Sequence, residues 1–426
     1  MDLFTLFYKS SGVSIDTRSI KRDSLFIALK GPNFNGSDFI ASALGNGAKY
    51  CITEEQSICD NEAVFFTEDT LQFIQQLALY HRRKFSIPII GITGSNGKTS
   101  TKELINCVLT KKYKVLSTIG NLNNHIGVPL TLLNLNATHE IAIIEMGANK
   151  HGDIAELCSI AEPNYGVITN IGKAHLEGFK DFNGVLKTKK ELYTSVSKHK
   201  GVLFFNADDE ILVANLPENV STYSYGTDQR SQIIGELIEL NPAIKLNFRH
   251  ALHASIGIQT QLIGKYNFYN FLCAISIGVY FKVNDKQIQN AIEAYVSTNN
   301  RSQVEKTENN TLLIDCYNAN PSSMLSALES FVLVHHDEKI AILGDMLELG
   351  EETNNEHKKI IDFCDRNKIS YLTVGENFAK VNNTPTKNFL TTEELGVFIK
   401  VSPLQQKLIL LKGSRGIALE KLIPLL

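Results

Sequence analysis

An apolar run, Ile87–Thr93, breaks into a loop with glycines at 91, 94 and 97, and Lys98, Thr99 and a helical stretch to Leu109 follow at once. A continuous apolar strand that turns sharply into a helix belongs in a parallel sheet covered on both faces, so the chain is expected to be α/β. The glycines also carry chemistry. They let backbone N–H groups point inward around phosphate oxygens, and the helix start adds partial positive charge. Lys98 would neutralise β/γ-phosphates and the Thr99 hydroxyl is placed to ligate Mg²⁺. The spacing is a variant, because Ile92 stands where the usual phosphate loop has its first glycine. A tight turn that happens to contain a lysine is the plain alternative, and three glycines between strand and helix weigh against it.

The same strand–helix alternation divides the chain. Residues 1–86 mix short apolar runs with the turn-rich Gly31–Ser37 and close on a helix over Leu71–Lys84, with Leu71, Ile74, Leu77 and Ala78 on one face. Further buried strands are expected at Ile141–Met146, Gly166–Ile171 and Gly201–Phe205, and helices at Gly184–Ser195 and Tyr269–Phe281. Residues 221–262 look like short strands. A polar linker at Ser297–Arg301 precedes a third α/β unit, with strands at Thr311–Cys316, Lys339–Leu343, Tyr371–Val374 and Lys407–Leu411. The expected domains are 1–86, 87–296 and 297–426, a plausible division for 426 residues. With 42 Lys+Arg against 45 Asp+Glu there is no basic field to hold nucleic acid or an anionic membrane, so any polyanion must be gripped locally. Seven scattered cysteines without a CxxC pair exclude a disulfide framework and fit a reducing compartment. No run suits a membrane span and Met1–Gly12 has no signal-peptide layout, so the expected location is the cytoplasm.

Beyond the loop come the amide-rich Ile119–Leu130, then Ile144–Asn149 with Glu145 at a strand end, then Thr169–Gly178 with His175 after another strand. Carboxylates at the C-terminal edge of such a sheet face its ligands. Taken with Asp315–Met324, Ile342–Gly350 and Lys412–Arg415, and with Asp16–Arg18 and Leu29–Gly36 near the start, these segments resemble the Mur ligase family of peptidoglycan synthesis. The likeness covers essentially the whole chain in the family's order. It implies a UDP-substrate domain, a central ATPase-type parallel sheet and a Rossmann-like third domain, with nucleotide held between the second and third. It also implies ATP-dependent ligation of D-alanyl-D-alanine to UDP-N-acetylmuramoyl-tripeptide through an acyl phosphate, by a cytoplasmic monomer. Another amide ligase of the family, adding a single amino acid, is the nearer rival. A non-catalytic nucleotide switch is the farther one.

Residue by residue, the resemblance assigns Gly91, Thr93, Gly94, Ser95, Asn96, Gly97, Lys98 and Thr99 to ATP phosphates, and Asn267 and Asn270 to the base. Arg301 falls on phosphate, Asp315 on ribose, and Tyr317 near base or phosphates. Two Mg²⁺ ions fall to Thr99, Glu145, His175 and Lys189, the last as a carbamate, so that Lys98, Glu145, His175 and Lys189 form the catalytic set. Asp16, Thr17, Arg18, Asn35 and Gly36 fall on the UDP end. The residues alone allow blander readings. Glu145 could cap or pair, His175 could be a core histidine, Lys189 could lie on a solvated helix face beside Lys187 and Lys190, Asn267 and Asn270 could cap a helix, and Asp16 could pair with Arg18 in a turn. Tyr266 stands where the family has His, and Asn35 and Ser37 where it has Asp and His. Cys316 is expected to be small and buried, and His357 to sit on a surface helix.

Overall fold

The computed structural model describes residues 3–173, 176–250, 253–382, 384 and 387–426. The chain is α/β and divides into two compact units, one of residues 1–91, 113–148 and 152–165, the other of residues 92–112, 149–151 and 166–426. The divide falls inside the strand Ile89–Thr93.

In the first unit, Val13–Ser14, Ser24–Ile27, Ala48–Thr53 and Val64–Phe66 lie parallel in that order. Phe26, Cys51 and Val64 come into register and bury against Ile40 and Ala43 of the helix Ile40–Gly45. The helix Thr70–Arg82 starts where the Asp69 carboxylate accepts the Gln72 N–H, and it buries Phe73, Ile74, Leu77 and Ala78. Phe73 takes the place expected for Leu71, which is only half-buried. Arg82 is buried too, and its guanidinium donates to the carbonyls of Ala161 and Glu162 that end the helix Asp153–Ala161. The strands Val115–Ser117 and Ile141–Glu145 run parallel beside one another.

In the second unit, the helix Lys98–Leu109 packs on Asn267–Tyr280. The latter is apolar all round and correspondingly buried. The two helices approach so closely that a Cβ on Gly278 would lie 2.6 Å from Val108. Residues 221–262 are not short strands. Ser221–Gly226 is followed by three eight-residue strands, Ile233–Leu240, Ala243–His250 and Ile256–Ile263, paired antiparallel. In Ile256–Ile263, Gln259 and Gln261 face solvent between buried Ile258, Thr260 and Leu262, and this alternation dilutes the apolar signal.

A six-stranded sheet follows in the order Gln303–Lys306, Thr311–Asp315, Leu408–Lys412, Lys339–Gly344, Ser370–Val374, Asn388–Phe389, parallel except for the first pair. Helices Pro321–Leu333 and Thr353–Arg366 cover one face and Thr392–Val401 the other. The last strand in the chain, Leu408–Lys412, returns to the middle of the sheet, so Asp315 and Lys412 stand in register at adjacent C-terminal ends. Crevices at such a change of strand order are where open α/β sheets bind ligands.

Candidate active site

Every residue of Ile89–Thr93 is buried, and the chain leaves this strand through Gly94 at φ 144° and Gly97 at φ 78°. A side chain at Gly94 would put its Cβ 2.0 Å from Thr169 Oγ1, and one at Gly97 would put it 2.9 Å from Asn270 Oδ1, so both positions require glycine twice over. The following helix begins at Lys98, and Thr99 in its first turn is buried. Lys98 Nζ donates to the Gly94 carbonyl (2.7 Å) and the Ser95 carbonyl (3.2 Å), which holds the ammonium over the loop.

The loop is braced by its neighbours. Ser95 Oγ donates to the Gly172 carbonyl (3.0 Å) and accepts the Gly172 N–H (2.9 Å). Thr169 Oγ1 and Asn170 Nδ2 both donate to the Asn96 carbonyl, and the Asn96 N–H donates to Asn170 Oδ1. Asn320 Nδ2 donates to Asn96 Oδ1 (2.8 Å), which joins the third sheet's first helix to the loop. Underneath, Thr101 Oγ1 donates to Asn270 Oδ1 (3.0 Å), Asn270 Nδ2 to Asn267 Oδ1 (2.8 Å), and Asn267 Nδ2 to the Ile263 carbonyl (2.7 Å). Asn267 and Asn270 are therefore buried and spend these contacts inside the fold. These bonds fix both side chains under the phosphate loop.

A second cluster gathers around Asp315. Lys412 Nζ lies 2.9 Å from its Oδ2, the Ser302 N–H donates to its Oδ1, and the Tyr266 hydroxyl lies 3.4 Å from Oδ2 and 3.0 Å from Ser302 Oγ. Burial raises the Tyr266 phenol well above its ordinary pKa, so it stays a neutral donor. Arg301 stacks on the Tyr317 ring (3.7 Å to the centroid), with the Arg415 guanidinium 5.5 Å from the same ring. Asn300 and Ser302, on either side of Arg301, are both left-handed, and Arg301 Nε is buried with no hydrogen-bond partner among the described residues. A backbone held in that conformation around an unsatisfied guanidinium nitrogen suits an anionic oxygen. Nearby, Asn318, Asn320, Glu348, Ser414 and Arg415 line a cavity of about 200 Å³.

On the helix Phe182–Lys198, capped by Asp181, Lys187 is exposed and Lys190 donates to Asn215, whereas Lys189 is only 2 % exposed and lies 5.6 Å from the Phe179 ring. Burial thus singles out Lys189 among the three lysines. His175 lies outside the described residues. In the first unit, Glu145 ends its strand 1 % exposed, its Oε1 accepting from Asn123 Nδ2 (2.8 Å) and its N–H donating to Thr118 Oγ1 (3.0 Å). Asn123 belongs to the amide-rich loop, whose end forms the helix Gly127–Leu132.

At the start of the chain, Arg18 and Asp16 make a bidentate pair (2.7 Å at the closest) that caps the turn Thr17–Ser19 and lowers the Asp16 pKa to about 2. Both partners are solvent-exposed, so the pair is open to exchange for another anion. Asn35 bonds Glu55 and the Ser37 N–H, and Gly36 is demanded by the backbone itself, since a Cβ there would lie 2.4 Å from the Leu29 carbonyl. Cys316 is buried, with its thiol pushed up to about 12, and is no nucleophile. His357 is not on the surface. It is fully buried, its Nδ1–H donating to the Thr353 carbonyl (2.7 Å) and its Nε2 accepting the Met346 N–H (3.0 Å). Asp345 alongside accepts the Asn377 and Phe378 N–H groups, so Gly344–Met346 is a packed corner. Thr169, Asn170, Asn320, Lys412 and Arg415 join the site here, each from a segment that carries the family resemblance. Ser302 carries no sequence signal at all.

Sequence profiles of the Mur ligase family, catalytic domain, the Mur ligase middle domain and the Mur ligase, glutamate ligase domain match residues 9–82, 92–278 and 300–415. The UDP-N-acetylmuramoyl-tripeptide–D-alanyl-D-alanine ligase of Bacillus subtilis is 33% identical over 97% of this chain and 92% of its own, and that of Treponema pallidum is 32% identical over 97% and 93%. A crystal structure of MurF from Acinetobacter baumannii superposes with a TM-score of 0.87 at 28% identity, covering 98% of this chain and 97% of that one. MurF from Thermotoga maritima in complex with ADP gives 0.85 at 25% identity, covering 100% and 98%.

Proposed function

This chain belongs to the Mur ligase family, and from that premise we propose that it joins D-alanyl-D-alanine to UDP-N-acetylmuramoyl-tripeptide at the expense of ATP, releasing ADP and phosphate. The observation that carries the reading is a glycine loop built for phosphate and tied through Asn320 to the edge of the third sheet, where Asp315, Lys412, Arg301 and the polar cavity lie. The domain limits near 86 and 296 stand with it, as do action in the cytoplasm and as a monomer. Among the described residues no helix is long and apolar enough to cross a membrane.

A carboxylate at neutral pH is a poor acyl donor. Transfer of the γ-phosphoryl group to it makes an acyl phosphate, the amine of the dipeptide attacks the acyl carbon, and phosphate leaves from the tetrahedral adduct. Lys98 and the loop N–H groups offset the charge that builds on the transferred phosphoryl oxygens. Asp315 would meet ribose hydroxyls, Tyr317 the nucleotide, and Arg301 a phosphate. The donor set suits Mg²⁺, since Glu145 is a buried carboxylate and Thr99 a buried hydroxyl. Thr99, Glu145, His175 and Lys189 as its carbamate would hold two such ions, which would supply further positive charge at the phosphates. Asp16, Thr17, Arg18, Asn35 and Gly36 are assigned to the UDP end. The cavity offers one guanidinium (Arg415), one carboxylate (Glu348) and neutral amides, a set that matches the two charged ends of a dipeptide zwitterion.

The test is phosphate release with each substrate omitted in turn, with mass spectrometry of the product. Release that needs both the UDP-tripeptide and D-alanyl-D-alanine, and a product joined by an amide bond, is the expected result. Release with a single amino acid in place of the dipeptide selects another ligase of the family, and nucleotide binding without release selects a switch.

A further inference from the structure

We propose that His250, His253 and Asp285 form a binding site for one divalent transition-metal ion of the zinc class, separate from the nucleotide site. His250 ends the strand Ala243–His250, and Asp285 opens the helix Asp285–Glu293. His250 Nε2 lies 3.0 Å from each Asp285 carboxylate oxygen, and His253 Nδ1 lies 3.8 Å from Oδ2. The His253 N–H donates to the His250 carbonyl (3.1 Å), and the two imidazole centroids lie 4.2 Å apart. Each residue offers a ligand atom within 4.8 Å of the others. Ligands at about 2.0–2.1 Å from a tetrahedral zinc stand roughly 3.3 Å from one another, so separations of 3.0 and 3.8 Å need only small side-chain rotations to close on an ion.

The donor types set the class of ion. Two imidazoles and one carboxylate suit zinc, cobalt or nickel, whereas Mg²⁺ prefers a shell made mostly of oxygens and competes poorly where imidazoles outnumber carboxylates. The adjacent cations turn to neutral partners: Lys286 Nζ donates to Gln289 (2.9 Å) and Arg249 to Gln229. His253 is more than half exposed, which leaves room for water to complete the shell. None of the three residues has a part in the ligation chemistry. The helix that Asp285 opens packs against Lys98–Leu109, Cys107 Sγ contacting the Ala291 carbonyl. A bound ion would therefore clip strand to helix and stiffen the support behind the nucleotide loop without joining the reaction.

The experiment is calorimetric titration of the chelator-stripped, full-length protein with ZnCl₂ in excess MgCl₂, alongside thermal melts. One saturable site is expected, with a rise in Tm on adding zinc. His253→Ala and Asp285→Asn should each weaken binding at least about tenfold, since loss of even an outer-shell partner has that effect. His253→Ala should melt like the zinc-free parent and keep its ligase activity, and Lys98→Ala should bind zinc as the parent does. Two results would overturn the proposal. Variants that bind as tightly as the parent would place zinc elsewhere, on the half-buried Cys59 for example. Absence of saturable binding below about 100 μM, a free energy near −5.5 kcal/mol, would leave the cluster a metal-free ion pair.

Discussion

A lysine at 2 % exposure is unusual, because burial strips hydration from an ammonium, and Lys189 is one, packed near the Phe179 ring. As a carbamate the same side chain becomes an anionic oxygen ligand, which two Mg²⁺ ions and a triphosphate would favour and a free ammonium would not. Lys189→Ala is expected to lose ligation by at least about 100-fold while keeping its melting curve, with partial rescue by short carboxylic acids. Lys189→Arg should be equally inactive, and an arginine variant with most of the parent's rate would rule the carbamate out. His357 makes the opposite case, a buried group whose neutral form the fold demands. Its Nδ1 must donate to a carbonyl and its Nε2 must accept an N–H, so no lone pair is left for a proton. Burial lowers its pKa, outweighing the attraction of Asp345 at 3.6 Å. A histidine that binds protons less readily folded than unfolded contributes its stability above the unfolded value of about 6.5 and loses it as pH falls from there toward the folded value. Between pH 8 and 5.5 the Tm of the parent should fall more steeply than that of His357→Gln. Parallel slopes would mean that another group controls the acid limb.

At the scale of elements, the phosphate loop rests on a second helix. Asn267 and Asn270 on Asn267–Tyr280 form a chain of side-chain bonds from the Ile263 carbonyl to Thr101, under the first turn of Lys98–Leu109. Each single loss, Asn270→Ala or Thr101→Val, should reduce stability by about 1–3 kcal/mol by leaving a buried partner unsatisfied. The double variant should cost less than the sum, and strict additivity in urea melts would show that the two side chains do not share a bond. The pairing was not legible in the sequence, where two asparagines before an apolar helix read equally well as ligands for a base or as caps. Periodicity does show that the apolar stretch over Tyr269–Phe281 is a buried helix and that Ile89–Thr93 is a buried strand, because burial on all sides leaves continuous apolar runs. It fails for Ile256–Ile263, where one face meets water, and for His357, whose neighbours Glu352, Asn354, Asn355, Lys358 and Lys359 spell an exposed helix. Burial there is set by Met346 and Thr353, contacts that no local pattern encodes.

Across the second unit, polar contacts tie the nucleotide loop and its neighbours to the six-stranded sheet, and polar contacts of this kind suit an interface that opens and closes. Asn320 reaches Asn96, the Lys173 N–H donates to Ser322 Oγ, and Lys173 Nζ pairs with Glu356 (2.9 Å). Glu356 is the pivotal member because it is buried, takes Lys173 and Lys359 on the same oxygen, and has its pKa lowered as these two cations outweigh its burial. It is not among the residues assigned to ATP, so its loss is expected to act through the Lys173 pair. If nucleotide binds the closed arrangement, apparent affinity scales with the closed fraction. Glu356→Gln keeps shape and hydrogen bonding but removes the charge, and the weakened pair should raise the dissociation constant of a non-hydrolysable ATP analogue by about 3–10-fold, the effect of roughly 1 kcal/mol on a closing equilibrium. The Tm should move little, since Gln refills the same volume. Salt should mimic the substitution in the parent and have less effect in the variant, because Lys173 is half-exposed and open to screening. An unchanged dissociation constant at both low and high salt would show that this ion pair does not report on closure, and that the Asn320–Asn96 bond holds the two parts without it.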